Sequence, residues 1–214
     1  MIVTVFGSTG AVGRRVVDDL LDRGHQVVAH ARNPDKLPVG WAVRGVQTVV
    51  GEITDPASID EAVRPGEAVI SALGPSMNRH ASGLPLVEGT RLVVAAMGQH
   101  GVRRYLGMAT PSVLDIRDRR TLQTRISPFL ARTIWPRAYA ELMGMSTAVT
   151  GSDLDWTLVR FLSPQDGDAK GTVRHGFFGT NRIGWAITRA DVARFLGDQL
   201  EDPRYLRAAP AISN

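Results

Sequence analysis

Short apolar runs rich in β-branched residues alternate with helical patterns along most of the chain. The apolar runs predict six strands, at residues 2–6, 26–31, 46–50, 68–73, 104–109 and 156–159. Amphipathic stretches predict helices between or after them, at residues 12–21, 59–63, 85–99, 138–149 and 190–200. Strands that are almost continuously apolar are typical of a parallel sheet covered on both faces. The pattern therefore predicts an α/β fold with a doubly wound parallel sheet, helices on both faces and right-handed connections.

One stretch, from Pro111 to Pro136, does not follow this alternation. It is long, rich in arginine and interrupted by Pro128. We expect it to form a surface excursion over about residues 111–137, at the carboxyl end of the fifth predicted strand; it is called the Arg-rich excursion below. No linker divides the rest of the chain, so the sequence predicts a single domain over residues 1–214.

Composition and charge narrow the classes of protein. The chain is 43% hydrophobic and 21% charged, which excludes wholesale disorder, and it has no cysteine for disulfides or Cys-ligated zinc. It has no apolar run of membrane-spanning length and no signal-peptide pattern, so we expect a cytoplasmic protein without a membrane partner. The net charge of +4 lies entirely in Ser112–Ala138, which holds six arginines and two aspartates. A general nucleic-acid-binding face is therefore not expected.

A glycine loop follows the first predicted strand and opens a helix. Glycines spaced three apart allow a tight turn and a close backbone approach, and the helix N-terminus offers free N–H groups to a pyrophosphate. A turn without a ligand is the alternative, because glycine turns are common at strand–helix junctions. The loop consists of Gly7, Ser8, Thr9, Gly10, Ala11, Val12 and Gly13.

Several motifs carry a family resemblance over most of the chain, with the Arg-rich excursion as the main exception. They are GSTGAVG, HARNPDK, GEITDP, VISALGP, YLGMATP, DWTLVRF and ITRADVARF. Together they resemble the atypical short-chain dehydrogenase/reductase superfamily, in particular the NAD(P)H-binding group that contains biliverdin-IXβ/flavin reductases and NmrA-like proteins. The resemblance implies a Rossmann-type sheet in the order 3-2-1-4-5-6, with a nicotinamide dinucleotide across its carboxyl edge.

The residues after the second predicted strand indicate which dinucleotide is bound. An NAD site usually has an acidic residue there for the ribose 2′-hydroxyl, whereas this chain has Arg32, followed by Lys36. A guanidinium can donate two charge-assisted hydrogen bonds to a 2′-phosphate. Both residues match 2′-phosphate-binding positions of the flavin reductase-like members. We therefore predict NADPH as the cofactor; an ordinary solvated basic pair is the alternative.

The resemblance also implies further cofactor contacts. Glu52 and Ile53 match an acidic–apolar pair beside the adenine, and Ala72, Leu73 and Gly74 match residues beneath the adenosine ribose and the phosphates. Two other features are predicted to be structural. Asp55 precedes Pro56 and should cap a helix, and Thr188 with Asp191 should form a capping box.

The proton-donating pair of the better-known dehydrogenases of this superfamily, Tyr-x-x-x-Lys, is absent. Four residues after Tyr139 stands Met143. A tyrosine without a cationic neighbour keeps a pKa near about 10, so we predict that Tyr139 packs a helix and is not a proton donor. Thr110 ends the fifth predicted strand where the superfamily has a serine. It is the candidate catalytic residue, orienting substrate or nicotinamide, and the alternative is a strand-end hydrogen bond.

Other chemistries have little support in the sequence. The five histidines are scattered without metal-ligand spacing, so no metal site is expected; they are His25, His30, His80, His100 and His175. The Gly-x-Ser-x-Gly elbow of hydrolases is absent. Ser163 stands where some reductases of the subgroup carry a histidine.

An enzyme without the proton-donating pair can still reduce an acceptor that delocalises incoming charge, such as a flavin, a quinone or a linear tetrapyrrole. We therefore predict an NADPH-dependent oxidoreductase with a small-molecule acceptor, as a monomer or homodimer. The alternative is an NmrA-like regulatory protein that senses NADP(H) without turnover, and epimerase or dehydratase activity also stays open.

The Arg-rich excursion is expected to cover the nicotinamide side of the site, since ligands bind beyond the carboxyl ends of the strands. Its arginines, among them Arg117, Arg119 and Arg120, would attract an anionic acceptor such as FMN. Its apolar residues favour a lid or an interface, because they must pack on something. A solvated or oligomer-facing loop is the alternative.

Overall fold

The computed structural model describes residues 1–78 and 82–214. Six strands lie close to the predicted bounds: β1 (Ile2–Phe6), β2 (Gln26–Ala31), β3 (Gln47–Val50), β4 (Ala68–Ser71), β5 (Arg104–Ala109) and β6 (Asp155–Arg160). The sequence pattern missed four short strands: β7 (Pro164–Gln165), β8 (Arg174–Gly176), β9 (Ile187–Thr188) and β10 (Ala211–Ser213). The helices are α1 (Gly13–Asp22), α2 (Val39–Val43), α3 (Pro56–Val63), α4 (Pro85–His100), α5 (Leu122–Ile134), α6 (Pro136–Thr150) and α7 (Arg189–Asp198).

Eight strands form the main sheet, in the order β3-β2-β1-β4-β5-β6-β10-β8. All its pairs are parallel except β10 with β8, and β7 and β9 form a separate parallel pair. The predicted Rossmann-type order of the first six strands is confirmed. The strand order changes direction between β1 and β4, since β2 and β3 are added on one side of β1 and β4 to β6 on the other. Open sheets of this kind form a crevice for ligands at such a point.

Two apolar clusters cover the two faces of the sheet. One contains Val17 and Leu20 of α1 with Leu196 of α7, and the other contains Ile59 of α3 with Met97 of α4. These side chains are almost completely buried. The buried helices on both sides fix the carboxyl edge of the sheet, where the loops after the strands meet.

The Arg-rich excursion contains a helix that the sequence pattern did not predict. Thr121 caps α5: its hydroxyl accepts from the N–H of Thr124 at 3.2 Å, and the Thr124 hydroxyl accepts from the N–H of Thr121 at 2.9 Å. Pro128 lies inside this helix, and none of the helix residues is fully buried. Helix α5 is therefore formed mainly by local interactions.

A buried ion pair attaches the start of the excursion to the sheet. Arg160, at the end of β6, is fully buried and donates to Asp118 at 2.5 and 2.9 Å and to the Val113 carbonyl at 2.9 Å. The Asp118 carboxylate also accepts from the N–H of Phe178 at 3.0 Å and of Asp115 at 2.9 Å. The two charges are thus paired inside the protein, as a buried pair requires. Within the described part of the chain the Nε of Arg160 is buried without a hydrogen-bond partner.

The two predicted helix caps form, one of them in a modified way. Asp55 accepts from the N–H of Ala57 at 3.1 Å. Thr188 accepts from the N–H of Asp191 at 3.1 Å, and its hydroxyl donates to the Asp191 carboxylate at 2.7 Å. The Asp191 carboxylate thus accepts from the Thr188 hydroxyl. In a standard capping box it would accept from the backbone N–H of Thr188. In the described residues no helix combines the length and the apolar character needed to cross a membrane.

Candidate functional site

The glycine loop joins β1 to α1 and passes close to the end of β4. Gly7 has a φ of +71°, and a Cβ at this position would lie 2.8 Å from the carbonyl carbon of Ala72. Only glycine fits both constraints. The N–H of Gly10 donates to the Gly7 carbonyl at 3.0 Å, and a Cβ on Gly13 would overlap that same carbonyl. A side chain would therefore be crowded at each of the three glycines, at Gly10 because its Cβ would lie 3.2 Å from the Gly7 carbonyl oxygen. The turn brings backbone N–H groups to the sheet edge.

Other loop residues form the support behind this turn. Ser8 is fully buried, and its hydroxyl donates to the His30 carbonyl at 2.8 Å, which ties the loop to β2. Arg14 donates to the Thr9 carbonyl at 3.1 Å and to the Lys36 carbonyl at 2.8 Å. Arg14 thereby joins the glycine loop to the turn after β2, a role that its position in α1 does not indicate.

A cavity of about 390 Å³ lies along the carboxyl ends of the strands β1 to β4. It brings together most of the predicted cofactor residues: Gly7, Thr9, Gly10, Arg32, Lys36, Glu52, Ile53, Ala72, Leu73 and Gly74. The cavity wall does not include four other loop residues, namely Ser8, Ala11, Val12 and Gly13. Their positions in the loop and at the start of α1 make them part of its support.

Sequence reasoning missed His30 in this cavity. Its side chain is buried, its Nε2 lies 3.3 Å from the Ser58 hydroxyl, and its ring lies against Phe6 at 5.0 Å. Burial lowers the pKa of His30, so the neutral ring predominates at pH 7. The position of His30 two residues before Arg32 at a strand end was an available signal.

Arg137 and Glu141 also line the cavity and were missed. Arg137 donates to the Gly83 carbonyl at 3.0 Å and the Ser76 carbonyl at 3.3 Å, and it lies 3.5 Å from the buried Glu141 carboxylate. Glu141 in turn accepts from the N–H of Leu86 at 3.0 Å. Helix α6 is therefore attached to the loop after β4 and to the start of α4. Arg137 and Glu141 are four positions apart on α6, but the three hydrogen bonds join residues more than fifty positions apart, which no local pattern indicates.

Thr110 lies in a second cavity, of about 630 Å³, on the other side of the loop after β4. Consecutive residues of this loop separate the two cavities: Gly74 and Ser76 line the first, and Pro75 and Met77 the second. The second cavity is lined by Pro75, Met77, Thr110, Pro111, Ser112, Ser127, Leu130, Ala131, Trp135, Ala138, Tyr139, Leu142, Leu162, Ser163 and Trp185. The Arg-rich excursion thus borders a cavity at the carboxyl end of β5.

The structure changes the interpretation of three residues in this cavity. The Thr110 hydroxyl accepts from the N–H of Ser112 at 3.3 Å, so the strand-end hydrogen bond and the cavity position coexist. Tyr139 is only half-buried and lines the cavity, so the packing interpretation of its side chain is incomplete. Ser163 also lines the cavity and has a φ of 42°, a backbone conformation that is unusual for a residue other than glycine.

The three arginines expected to steer an acceptor do not line this cavity. Arg117 pairs with Asp115 at 3.1 Å, and its guanidinium lies over the Phe177 ring at 5.2 Å. Arg119 and Arg120 border a different groove. These side chains project from the start of the excursion and not from α5, so they form no part of the cavity wall. Attraction of an anionic acceptor by their charge stays a prediction.

The described residues contain no cluster of three or more His, Asp or Glu side chains able to hold a metal ion. Of the five histidines, His80 lies outside the described residues. The remaining four serve separate local environments; His100, for example, pairs with Asp60 at 2.6 Å.

A parallel sheet in this order, with a glycine loop at the N-terminus of α1 and a cavity along its carboxyl edge, defines a dinucleotide-binding Rossmann domain. The sequence comparison gives the same class. A family model described as NAD(P)H-binding matches residues 7–203, and the chain belongs to this family. The resemblance to the atypical short-chain dehydrogenase/reductase group is thereby confirmed.

Curated relatives match about half of the chain. A 3-beta-hydroxysteroid dehydrogenase of Mycolicibacterium neoaurum is 36% identical over 122 residues, which are 52% of this chain and 32% of that protein. A 2-alkyl-3-oxoalkanoate reductase of Stenotrophomonas maltophilia is 33% identical over 121 residues, 53% of this chain and 34% of that protein. The chain spans about a third of the length of these relatives.

Solved structures share the fold over the whole chain. The anaerobilin reductase ChuY of Escherichia coli superposes with a TM-score of 0.77 at 22% identity, covering 100% of this chain and 97% of that one. A short-chain dehydrogenase/reductase of Veillonella parvula, solved in complex with NADP, superposes with a TM-score of 0.79 at 16% identity and covers 100% and 94%. At these identities the likeness shows the fold.

Proposed function

We propose that the protein is an NADPH-dependent oxidoreductase that transfers a hydride to a conjugated small-molecule acceptor. The observation that carries the proposal is a pair of cavities on either side of one loop. The first contains the glycine loop with Arg32 and Lys36, and the second contains Thr110. A cofactor in the first cavity and an acceptor in the second would meet at the carboxyl end of β4 and β5.

In this proposal each part of the first cavity has a separate role. The backbone N–H groups of the glycine loop and the N-terminus of α1 hold the pyrophosphate. Arg32 and Lys36 bind the ribose 2′-phosphate, and no carboxylate at the end of β2 repels it. Glu52, Ile53 and the neutral His30 surround the adenine. The bound cofactor would supply the hydride, and the protein supplies position and a site with little water.

The second cavity favours turnover over the sensing alternative, since a sensor of NADP(H) needs no space for an acceptor. Thr110 orients the acceptor or the nicotinamide through its hydroxyl. The relatives named above as a dehydrogenase and a reductase support an oxidoreductase as well. An acceptor that delocalises charge can take its proton from water, which agrees with Met143 at the position of the missing lysine.

The test is to titrate the purified protein with NADPH and with NADH, and then to follow NADPH absorbance with menadione, FMN and biliverdin as acceptors. We expect tighter binding of NADPH and oxidation with at least one acceptor. Tight NADPH binding without oxidation by any of them would support the sensor. Equal affinity for the two dinucleotides would contradict the assignment of NADPH. We propose the cytoplasm as the location, which cell fractionation would check.

A further inference from the structure

The wall of the second cavity limits the charge of the compound that enters it. Among the described residues that line it, none is Asp, Glu, Lys, Arg or His. Six large apolar side chains contribute most of the surface: Met77, Leu130, Trp135, Leu142, Leu162 and Trp185. The volume of about 630 Å³ lies within the range of about 300–1,000 Å³ that is typical of small-molecule sites. An anion placed against these described residues would lose part of its hydration without gaining a cationic partner among them.

The described arginines next to cavity residues in α5 and α6 do not line the second cavity. Arg137 precedes the cavity residue Ala138, but its guanidinium points to the first cavity, where it bonds Ser76 and Gly83 and pairs with Glu141. On α5, Arg125 and Arg132 are exposed, and neither lines the second cavity. At about 100° per residue they lie roughly 150–170° around the helix from the mean direction of Ser127, Leu130 and Ala131, which do line it. The two charges on α5 therefore face solvent, and that of Arg137 faces the first cavity.

The polar groups of the cavity suit a neutral oxygen atom. They are the hydroxyls of Thr110, Ser112, Ser127, Tyr139 and Ser163. Since the Thr110 oxygen accepts from the N–H of Ser112, its own hydrogen stays available to donate. A hydroxyl can donate to a carbonyl oxygen without the cost of burying a charge.

We propose that the acceptor is an uncharged, largely apolar compound with a conjugated carbonyl, of the quinone or enone class, and not a phosphate- or carboxylate-bearing flavin or tetrapyrrole. This assignment rests on the proposed function for its chemistry. With a quinone, the acceptor gains a hydride from the reduced nicotinamide and a proton from water. The products are the hydroquinone and the oxidised dinucleotide, so two electrons and two protons are accounted for. The apolar wall holds the rings, and the hydroxyls bind the carbonyl oxygen.

A binding experiment separates this proposal from the proposed reaction. Trp135 and Trp185 line the cavity, so the intrinsic fluorescence of the NADP⁺-loaded protein should report occupancy without turnover. The probes are menadione, which is neutral, and naphthoquinone sulfonate, a similar ring system with a fixed negative charge. We expect menadione to bind at least about tenfold more tightly.

A matched pair of variants then tests the location. Leu130 lines the cavity and Phe129, its neighbour on α5, is 70% exposed. In Leu130→Lys the preference for the neutral probe should fall about tenfold or reverse, because the new ammonium can pair with the sulfonate. Phe129→Lys adds the same charge outside the cavity and should leave the preference unchanged.

Equal binding of both probes to the unmodified protein would overturn the proposal, and so would an identical response of the two variants. Discrimination between the probes together with no NADPH oxidation would support the neutral cavity and contradict the proposed reductase. Oxidation of NADPH by FMN, with kcat/KM at least as high as for menadione, would support the reductase and overturn the neutral acceptor.

Discussion

In the proposed function, the choice between the two dinucleotides depends on side chains at the end of β2. Arg32 and Lys36 line the same cavity as the glycine loop, and Arg14 holds the carbonyl of Lys36 at 2.8 Å, which fixes the turn that carries both cations. The proposed preference for NADPH would therefore rest on a few charge-assisted hydrogen bonds, and single substitutions should measure it.

Arg32→Ala should weaken NADPH binding far more than NADH binding. Loss of one bidentate charge-assisted contact costs on the order of 1.5–3 kcal/mol, or roughly ten- to hundredfold in Kd. Fluorescence titration with both dinucleotides would measure the difference. Arg64→Ala is the control, since Arg64 follows the last residue of α3, is exposed and lies outside the cavity. Equal weakening of NADPH and NADH by Arg32→Ala would remove the basis for the assignment.

Tyr139→Phe should keep most of the turnover with a quinone. The hydroxyl lines the second cavity, but Met143 stands where a lysine would lower the pKa of a proton-donating tyrosine. We expect KM for the acceptor to rise by a few-fold and kcat to change by less than about tenfold. Steady-state kinetics with menadione would check this. A loss of a hundredfold or more in kcat, with NADPH binding intact, would show that Tyr139 is an essential proton donor.

For individual residues, the sequence was most informative where the residues of a site are close together along the chain. The glycine spacing and the HARNPDK segment predicted the position of the first cavity, since Gly7 follows directly after β1 and Arg32 directly after β2. Arg137 and Glu141 could not be found in this way, because their partners come from the loop after β4 and the start of α4. Tyr139 was assigned to packing because a helical pattern does not reveal which face borders a cavity.

The Arg-rich excursion, which contains α5, is attached to the sheet through buried contacts at its start. The Asp118–Arg160 pair joins its start to β6, and Arg160 also lies 4.9 Å from the Phe178 ring centre. The sequence pattern predicted strands β1 to β6 because each is a continuous apolar run. It missed α5, since Pro128 and Pro136 interrupt the helical pattern, and it missed β7 to β10, which are two or three residues long.

Asp118→Ala should destabilise the protein by about 3–5 kcal/mol, because Arg160 would stay buried without its counter-charge. Urea unfolding followed by circular dichroism would give the free energy of unfolding. Asp198→Ala is the matched control: Asp198 pairs with Arg23 at 2.8 Å, but its side chain is 52% exposed, so about 0–1 kcal/mol is expected. Similar losses in the two variants would show that the buried pair contributes no more than a surface pair.

For the whole molecule, the pH dependence of stability should include a contribution from Asp191. This carboxylate is fully buried and accepts from the N–H of Lys170 at 2.8 Å and of Gly171 at 3.2 Å, as well as from Thr188 and Asn214. It therefore joins two distant parts of the chain, at residues 170–171 and Asn214, to the start of α7. Burial raises the pKa of Asp191, but these hydrogen bonds outweigh burial and leave it below its usual value of 3.8.

A carboxyl group whose pKa is lowered on folding stabilises the protein fully above its unfolded value. Its contribution is lost as the pH falls from about 3.8 through the lowered folded value. Asp191→Asn should thus lower the Tm at pH 7 and flatten the decrease in Tm below pH 4. Asp198→Asn, on the same helix, should leave the acid limb unchanged. An unaltered acid limb in Asp191→Asn would contradict this role.

Helix α5 forms one wall of the second cavity, where we propose that the acceptor binds, and yet has no fully buried residue. An element with so little buried surface can open without global unfolding, so its amide hydrogens should exchange much faster than those of α4. The affinity for the proposed acceptor then includes the free energy needed to close α5 over the second cavity. Pro128 adds to that cost, because it cannot donate to the Thr124 carbonyl. Pro128→Ala would shift the population toward the closed helix, which should tighten acceptor binding and slow product release. Pro128 would thereby control how long a compound stays bound in the second cavity and how fast the next one can be turned over.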